Sequence, residues 1–166
     1  MFKGYKCFKK GLINRYGTKF EIDKEYHANG IIKFGNYGNG FHVCKNLEDT
    51  LRYFNAMNEP VDIAEVICHG MYDQGEDDYN GYYDMYAFEY LFINKILTRE
   101  EIIDYGLKLY DFRTKRFISG YRLTKEEILL FKEKFKNNQD ILNTIAYYQE
   151  GNIEAFNSSY KKTRMR

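Results

Sequence analysis

The stretch GFHVCKNLEDTLRYF at residues 40–54, together with VDIAEVICHG at residues 61–70, decides the fold class. GFHVC is a short apolar run rich in strand-forming residues, and Asn46 is a favourable N-cap for the helical pattern behind it. Four side chains then recur at the spacing of one helical face: Leu47, Thr50, Leu51 and Phe54. The pattern predicts a strand, a helix over residues 46–57 and a returning strand over 61–70.

Strand patterns flank this unit on both sides. FKGYKCF at residues 2–8 and MYAFEYLFINKIL at residues 85–97 predict long strands. RYGTKFEI at 15–22 and EYHANGIIKF at 25–34 predict two further strands. GNYGNG at 35–40 is a turn cluster, and it has neither the GxGxxG spacing nor the following helix of a dinucleotide-binding fingerprint.

The last third of the chain changes to a helical pattern. Two pairs with capping-box spacing precede apolar runs: Thr98 with Glu101, and Thr124 with Glu127. TREEIIDYGL, TKEEILLFKEKFKNN and NQDILNTIAYYQEG therefore predict helices, and KLYDFRTKRFISGYR at 108–122 predicts a short hairpin. We expect an α+β fold with a mixed β-sheet core over residues 1–98. A helical C-terminal segment over 99–166 would pack on that core to form one compact unit.

The composition excludes several classes of protein. Of the 166 residues, 44% are hydrophobic and 30% charged, which is enough for a sizeable core. The net charge of +1 argues against a dedicated nucleic-acid binder or a membrane-surface protein. No apolar run reaches the length of a membrane span, and the N-terminus lacks the apolar core of a secretory signal. Three scattered cysteines without a CxxC pair predict a reduced, cytoplasmic protein.

No metal cofactor is expected from the sequence. Cysteines and histidines are spread one or two per predicted strand, without the short spacing of a zinc site. An EF-hand register in the acidic segment would need its last ligand at Ala87, which excludes that calcium loop. The cysteines and histidines in question are Cys7, Cys44, Cys68, His27, His42 and His69.

Several of these segments resemble segments of known families. GFHVCKNLEDTLRYF followed by VDIAEVICHG resembles the pocket-forming strand, helix and strand of ADP-ribosyltransferase-like folds, and MYAFEYLFINKI resembles their late strand with the catalytic Glu-Tyr pair. GYKCF and GFHVCKNLED also resemble an uncharacterised small domain of phages and bacteria. The resemblance covers residues 3–98. It implies an ADP-ribosyltransferase-like core that transfers ADP-ribose from the cofactor NAD to a host protein.

The resemblance also implies roles for individual residues. Glu89 would be the catalytic carboxylate, which binds the ribose 2′-hydroxyl and stabilises the oxocarbenium-like state as nicotinamide leaves. Tyr5, Gly40 and His42 would bind the cofactor, with His42 in the place of the stacking tyrosine of the polymerase-type enzymes. The first-strand histidine of those enzymes has no counterpart at Tyr5 or Lys6.

Each of these residues also has a purely structural interpretation. Glu89 is also consistent with a solvent-facing strand position, since aromatic residues occupy the opposite alternation of its strand. His42 is also consistent with a core or edge histidine, and Gly40 with a turn residue that lets the strand begin. Both interpretations stay open on the sequence alone.

The uneven charge distribution points to a second function. Residues 53–94 carry nine acidic and no basic side chains, whereas the segments on either side have a net charge of +5 each. Within it, the segment 72–84 predicts an acidic loop whose tyrosines suit a protein interface: Asp77, Asp78, Tyr79, Tyr82 and Tyr83. This surface predicts a non-catalytic phage or mobile-element inhibitor of host defence, which binds a basic nucleic-acid-binding host protein. The alternative is a solvated acidic loop.

Overall fold

The structure is a computed structural model that describes residues 1–75 and 84–155, and it is a mixed α+β fold. The chain divides into two compact units. The first comprises Met1–Asn55 and Glu59–Thr98, and the second comprises Ala56–Asn58 and Arg99–Arg166. In the described part of the chain, no helix is both long enough and apolar enough to cross a membrane.

The first unit is an antiparallel sheet with one short helix. Its elements are β1 (Phe2–Lys9), β2 (Glu25–His27), β3 (Phe41–Cys44), α1 (Leu47–Thr50), β4 (Val61–Gln74) and β5 (Met85–Ile96). The strand order is β2-β5-β3-β1-β4, and β4 also pairs with β5, so that four strands form a closed sheet. All strand pairs among the described residues are antiparallel, so the expectation of a mixed sheet was wrong.

Apolar side chains fill the inside of the closed sheet. β1 pairs with β4 from Phe2 opposite Cys68 to Lys9 opposite Val61. Phe8, Val43 and Val66 are at most 1% exposed and belong to one core cluster. Alternate residues of a strand point to opposite faces, and β4 accordingly contributes Ala64, Val66 and Cys68 to this cluster.

The two short strands predicted at 15–22 and 25–34 are mostly absent. Only Glu25–His27 is a strand, and Lys19 forms an isolated bridge with Ile13. The carboxamide of Asn14 accepts hydrogen bonds from backbone N–H groups of Tyr16 and Thr18, which holds this segment in turns. Local side-chain hydrogen bonds of this kind compete with strand pairing, and the apolar pattern did not show them.

The predicted helix over 46–57 is a single turn. α1 ends at Thr50, and hydrogen-bonded turns follow to residue 58. Asn46 forms no side-chain cap bond, because its amide lies near the carboxylates of Asp49 and Asp84 at 3.5 and 3.4 Å. Leu47 and Leu51 are nevertheless buried as expected, at 0% and 5% exposure, whereas Phe54 is only half-buried.

The second unit contains four helices in its described part: α2 (Arg99–Leu107), α3 (Asp111–Gly120), α4 (Lys125–Lys134) and α5 (Gln139–Tyr148). Thr124 and Glu127 form the predicted capping box of α4. The hairpin predicted at 108–122 was wrong, because α3 occupies it. Its buried side chains follow helical spacing: Thr114, Phe117, Ile118 and Tyr121. Phe117 is fully buried and stacks on Phe131 with ring centroids 5.7 Å apart.

Candidate functional site

The first unit contains an open cavity of about 810 Å³, a volume in the range of small-molecule sites. Strands β1 and β3, the turns after α1 and the loops at 14–20 and 34–36 supply its lining. Three predicted site residues, Tyr5, Gly40 and His42, lie on it. The structure therefore brings together the residues that the resemblance assigned to cofactor binding.

Within residues 1–75 and 84–155, the charged residues that line this cavity are mainly basic. They are Lys6, Arg15 and Arg52, with Asp73 as the one acidic residue among them. The Asp73 carboxylate already accepts a hydrogen bond of 2.8 Å from the backbone N–H of Phe34. Positive charge in a concave, partly desolvated site favours an anionic ligand.

Lys6 is the least expected of these residues. Lys6 lies two residues before Phe8 on β1, so the two side chains lie on the same face of the strand. Phe8 is fully buried in the core cluster, and the amine of Lys6 lies 5.6 Å from the centre of its ring. The amine donates one hydrogen bond of 2.7 Å to the backbone oxygen of His42. Among the described residues, no carboxylate forms an ion pair with it. Burial lowers the pKa of Lys6 from its ordinary 10.5 to about 8.

Both ring nitrogens of His42 are occupied. The backbone N–H of Gly35 donates to Nε2 at 3.0 Å, and Nδ1 lies 3.2 Å from the backbone oxygen of Gly40. Nε2 is thus an acceptor and Nδ1 the donor, as in a neutral imidazole. Burial lowers the pKa of His42, which agrees with the neutral form. His42 therefore fastens the loop at Gly35 to β3 and presents ring surface, rather than a free nitrogen, to the cavity.

Gly40 and Tyr5 both lie in the wall of the cavity. Gly40 has a φ of +106°, and a Cβ there would lie 3.0 Å from the backbone oxygen of Phe88 and from a methyl group of Ile32. The position therefore requires glycine for structural reasons. Burial, with the nearby carboxylates of Glu65 and Glu48, raises the pKa of the Tyr5 phenol, so the hydroxyl stays protonated.

Glu89 does not line the cavity and lies instead in a cluster with His27 and Met71. Its carboxylate accepts a 3.0 Å hydrogen bond from the backbone N–H of Met71 and lies 2.9 Å from Nε2 of His27. The Met71 hydrogen bond and then that of His27 lower the pKa of Glu89. Beside it, the rings of His27 and His69 stack on the two sides of Tyr90, with centroids 4.5 and 4.4 Å away. Glu89 is thus not among the described residues that line the cavity.

The remaining predicted features are the cysteines, the candidate metal ligands and the partner-binding residues. Cys7, Cys44 and Cys68 are buried thiols, and burial raises the pKa of each, to about 12 for Cys7 and Cys68. No cluster of metal-ligating side chains occurs within residues 1–75 and 84–155. The predicted partner-binding residues lie outside the described residues: Asp77, Asp78, Tyr79, Tyr82 and Tyr83.

Sequence reasoning missed the three basic residues of the cavity. One signal was available for Lys6, which is the only charged residue among the alternating positions Phe2, Gly4, Lys6 and Phe8 of a predicted strand. A lysine on the apolar face of a strand is uncommon and therefore informative. Arg15 and Arg52 are more than thirty residues apart in the sequence, and only the fold brings both to one cavity.

Comparisons with known proteins place the chain in a family. Residues 2–84 match the family model described as Domain of unknown function (DUF7666). Neither the curated proteins nor the solved structures contain a match to the chain. The matched region includes every lining residue of the cavity except Met85. Because the match spans half of its 166 residues, the chain belongs to this family of unknown function, DUF7666.

Proposed function

We propose that the first unit binds a small anionic ligand carrying a flat ring, with NAD as the first candidate, in the cavity lined by Tyr5, Gly40 and His42. One observation carries the proposal: among the described residues, three basic side chains line the cavity, and the one carboxylate on it, that of Asp73, already accepts a hydrogen bond from a backbone N–H. Arginine forks suit phosphate oxygens, and a buried ammonium supplies a further point charge.

Aromatic side chains supply the second half of the site. Tyr16 is 74% exposed beside Arg15, whose guanidinium lies 5.1 Å from the centre of its ring. Phe34 lies against His42, with ring centroids 4.7 Å apart. Flat ligand rings stack on such surfaces with little demand for specific hydrogen bonds. A ligand with phosphate groups for the arginines and a flat ring for these aromatic side chains would be a nucleotide or a similar molecule.

Calorimetric titration with NAD, ADP-ribose, AMP and inorganic phosphate tests this proposal. The double variant Arg15→Ala/Arg52→Ala should weaken binding of the phosphate-bearing ligands by roughly tenfold or more per arginine, since hydrogen bonds to charged groups contribute about 1.5–3 kcal/mol. The matched control is Lys19→Ala/Lys45→Ala, which removes two exposed positive charges that do not line the cavity. Equal affinity in both variants, or no binding by wild type at millimolar concentration, would contradict the proposal.

Transfer of ADP-ribose to a host protein is the reaction that the resemblance adds to this binding proposal. The resemblance assigns to Glu89 the stabilisation of the positive charge in the transition state. The Glu89 carboxylate is hydrogen-bonded to the backbone N–H of Met71 and to His27. The binding test and the transfer test therefore address different residues. We propose transfer on the resemblance of the strand MYAFEYLFINKI, and binding on the geometry of the cavity.

Incubation with labelled NAD and cell lysate tests transfer. Glu89→Gln should lower labelling by about 10²–10³-fold if Glu89 stabilises developing charge. The matched variant is Glu25→Gln, because Glu25 likewise accepts a hydrogen bond from a histidine, His69, at 2.6 Å. Equal labelling by wild type and Glu89→Gln would remove Glu89 from the reaction and leave ligand binding as the function.

Partner binding through the acidic segment 72–84 is a second candidate, favoured by the run of residues 53–94 without lysine or arginine. Such a surface attracts a basic partner over distance, and tyrosines then supply contact area. The proposed partner is a basic nucleic-acid-binding protein of host defence, and the protein would act on it as an inhibitor without catalysis.

Surface plasmon resonance against a purified basic nucleic-acid-binding protein tests this candidate. Asp77→Lys/Asp78→Lys should slow association most at low salt, where screening is weak. Tyr82→Ala/Tyr83→Ala should speed dissociation instead, because contact anchors act mainly on the off-rate. Unchanged kinetics in a variant with all four substitutions would exclude the acidic segment as the binding surface.

A further inference from the structure

We propose that the amine of Lys6 is a nucleophile that forms an imine with an aldehyde or ketone group of the ligand bound in the cavity. The inference rests on the proposed function, in that the cavity must admit a ligand. It goes beyond that function, because NAD has no aldehyde or ketone group and the imine-forming ligand is therefore a carbonyl-bearing anion that shares the cavity. The geometry behind it is the placement of one amine, among the described lining residues, on a cavity that two arginines and several aromatic side chains also line.

A purely structural role does not account for this lysine. An ammonium has three N–H donors, and the structure shows one hydrogen bond, to the backbone oxygen of His42. Buried lysines that serve structure are normally paired with a carboxylate, and among the described residues Lys6 has no such partner. The hydrogen bond to His42 and the nearby Phe8 ring compensate the charged amine only in part, because its other two donors have no partner among the described residues.

The uncharged amine is the reactive form. Burial lowers the pKa of Lys6 to about 8, so about a quarter of the amine is neutral at pH 7.5, against about one part in a thousand for an ordinary lysine. A lysine activated by desolvation in this way is a recurrent covalent nucleophile. The nearby guanidinium of Arg15 also lowers this pKa, and it would hold an anionic group of the same ligand.

The reaction is a condensation that needs no oxidant or reductant. The nitrogen lone pair of the neutral Lys6 amine attacks the carbonyl carbon, and the carbon–oxygen π electrons move to oxygen. The oxygen takes a proton and the nitrogen gives one up, which leaves a neutral carbinolamine. Loss of the hydroxyl group with a proton from nitrogen forms the C=N bond and releases one water molecule. His42 has both ring nitrogens occupied, so water in the open cavity carries the protons.

Reductive trapping tests the inference on the full chain. The two probes are pyridoxal 5′-phosphate and the smaller glyoxylate, each of which carries an aldehyde and an anionic group. Two sizes are used because a large probe alone could fail to enter the cavity. Borohydride converts an imine into a stable secondary amine, which peptide mass spectrometry assigns to a residue. Lys3 and Lys9 are internal controls, because both lie exposed on the same strand.

We expect Lys6 to be trapped at least tenfold faster than Lys3 or Lys9 at about pH 7.5, with a rate that rises to half its maximum near pH 8. Lys6→Met should abolish the saturable labelling, and Lys9→Met should leave it intact. Equal trapping of the three lysines by both probes would overturn the inference. This measurement on wild type stands even where Lys6→Met fails to fold.

The two proposals fail in different ways. NAD binding without preferential trapping of Lys6 would refute the imine and keep the binding function. Preferential trapping of Lys6 without binding of any nucleotide would refute the nucleotide ligand and keep the reactive amine. When both hold, saturating NAD should slow trapping of Lys6 and leave that of Lys9 unchanged.

Discussion

His27 and Glu89 lie on neighbouring strands, with Nε2 of the histidine 2.9 Å from Oε2 of the carboxylate. The same carboxylate accepts the backbone N–H of Met71 through its other oxygen, at 3.0 Å. Met71 follows Gly70, which has a φ of +83° where the pairing of β4 with β5 shifts register. Glu89 thus links β2 to the irregular part of β4 across the strand between them.

This link predicts a specific dependence of stability on pH. Because the folded-state pKa of Glu89 is below its ordinary 4.5, the ionised carboxylate stabilises the fold above that value. The contribution is lost as the pH falls from about 4.5 through the lowered pKa. Glu89→Gln should therefore show a smaller drop in melting temperature than wild type between about pH 6 and pH 3. Scanning fluorimetry over that range measures it.

The control for this experiment is Glu59→Gln, which removes an exposed carboxylate from the same unit. If Glu89→Gln and Glu59→Gln give the same melting curve against pH, the hydrogen bonds to Glu89 do not contribute to acid sensitivity. If only Glu89→Gln flattens the curve, the carboxylate has a structural function whether or not it also takes part in catalysis.

Gly40→Ala should destabilise the first unit by more than about 1 kcal/mol, because its φ of +106° is strained for alanine and its new Cβ would meet the backbone of Phe88. Gly17→Ala is the matched control, with a φ of +86° and no neighbouring atom within 4 Å of a Cβ. The difference between the two measures the contact separately from the backbone strain. Urea unfolding provides both values, and equal losses would show that the contact costs nothing.

Leu51→Ala should lower the free energy of unfolding by roughly 2–5 kcal/mol, since Leu51 is 5% exposed and its truncation leaves a cavity. Leu129→Ala is the control, because Leu129 is 66% exposed and surface substitutions change stability by about 0.5 kcal/mol or less. Chemical denaturation followed by circular dichroism measures both variants. An unchanged midpoint for Leu51→Ala would show that the residues after α1 do not pack in the core.

Gln149→Leu tests the second unit. The side chain of Gln149 is buried, donates to the backbone oxygens of Ile118 and Tyr121 at 2.6 and 2.8 Å, and accepts the N–H of Leu123 at 3.1 Å. Leucine would leave buried backbone groups without these bonds, at about 1–3 kcal/mol for each unsatisfied group. Gln139→Leu removes an exposed glutamine from the same helix and should change little. Similar melting temperatures for the two variants would contradict this role.

The sequence by itself determined the elements whose signals are local. Alternating apolar residues along β1, β4 and β5 identify strands from neighbours alone, and the Thr124–Glu127 box identifies the start of α4. The missed helix α3 also carried a local signal, the helical spacing of Thr114, Phe117 and Ile118. The polar centre of the same segment, residues 113–115, is typical of a turn, and this opposing signal favours the hairpin that the structure does not contain.

Only the tertiary structure decided the closure of the sheet and the site that depends on it. Pairing of β4 with β5 closes the sheet, and pairing of β1 with β3 brings Lys6 to the backbone of His42, thirty-six positions away in the sequence. The same arrangement leaves Glu89 with His27, sixty-two positions away, and outside the cavity. A residue's neighbours along the chain set its propensity for strand or helix. Its desolvation and its partners come from distant segments, so the lowered pKa of Lys6 and the placement of Glu89 could not be predicted from the sequence.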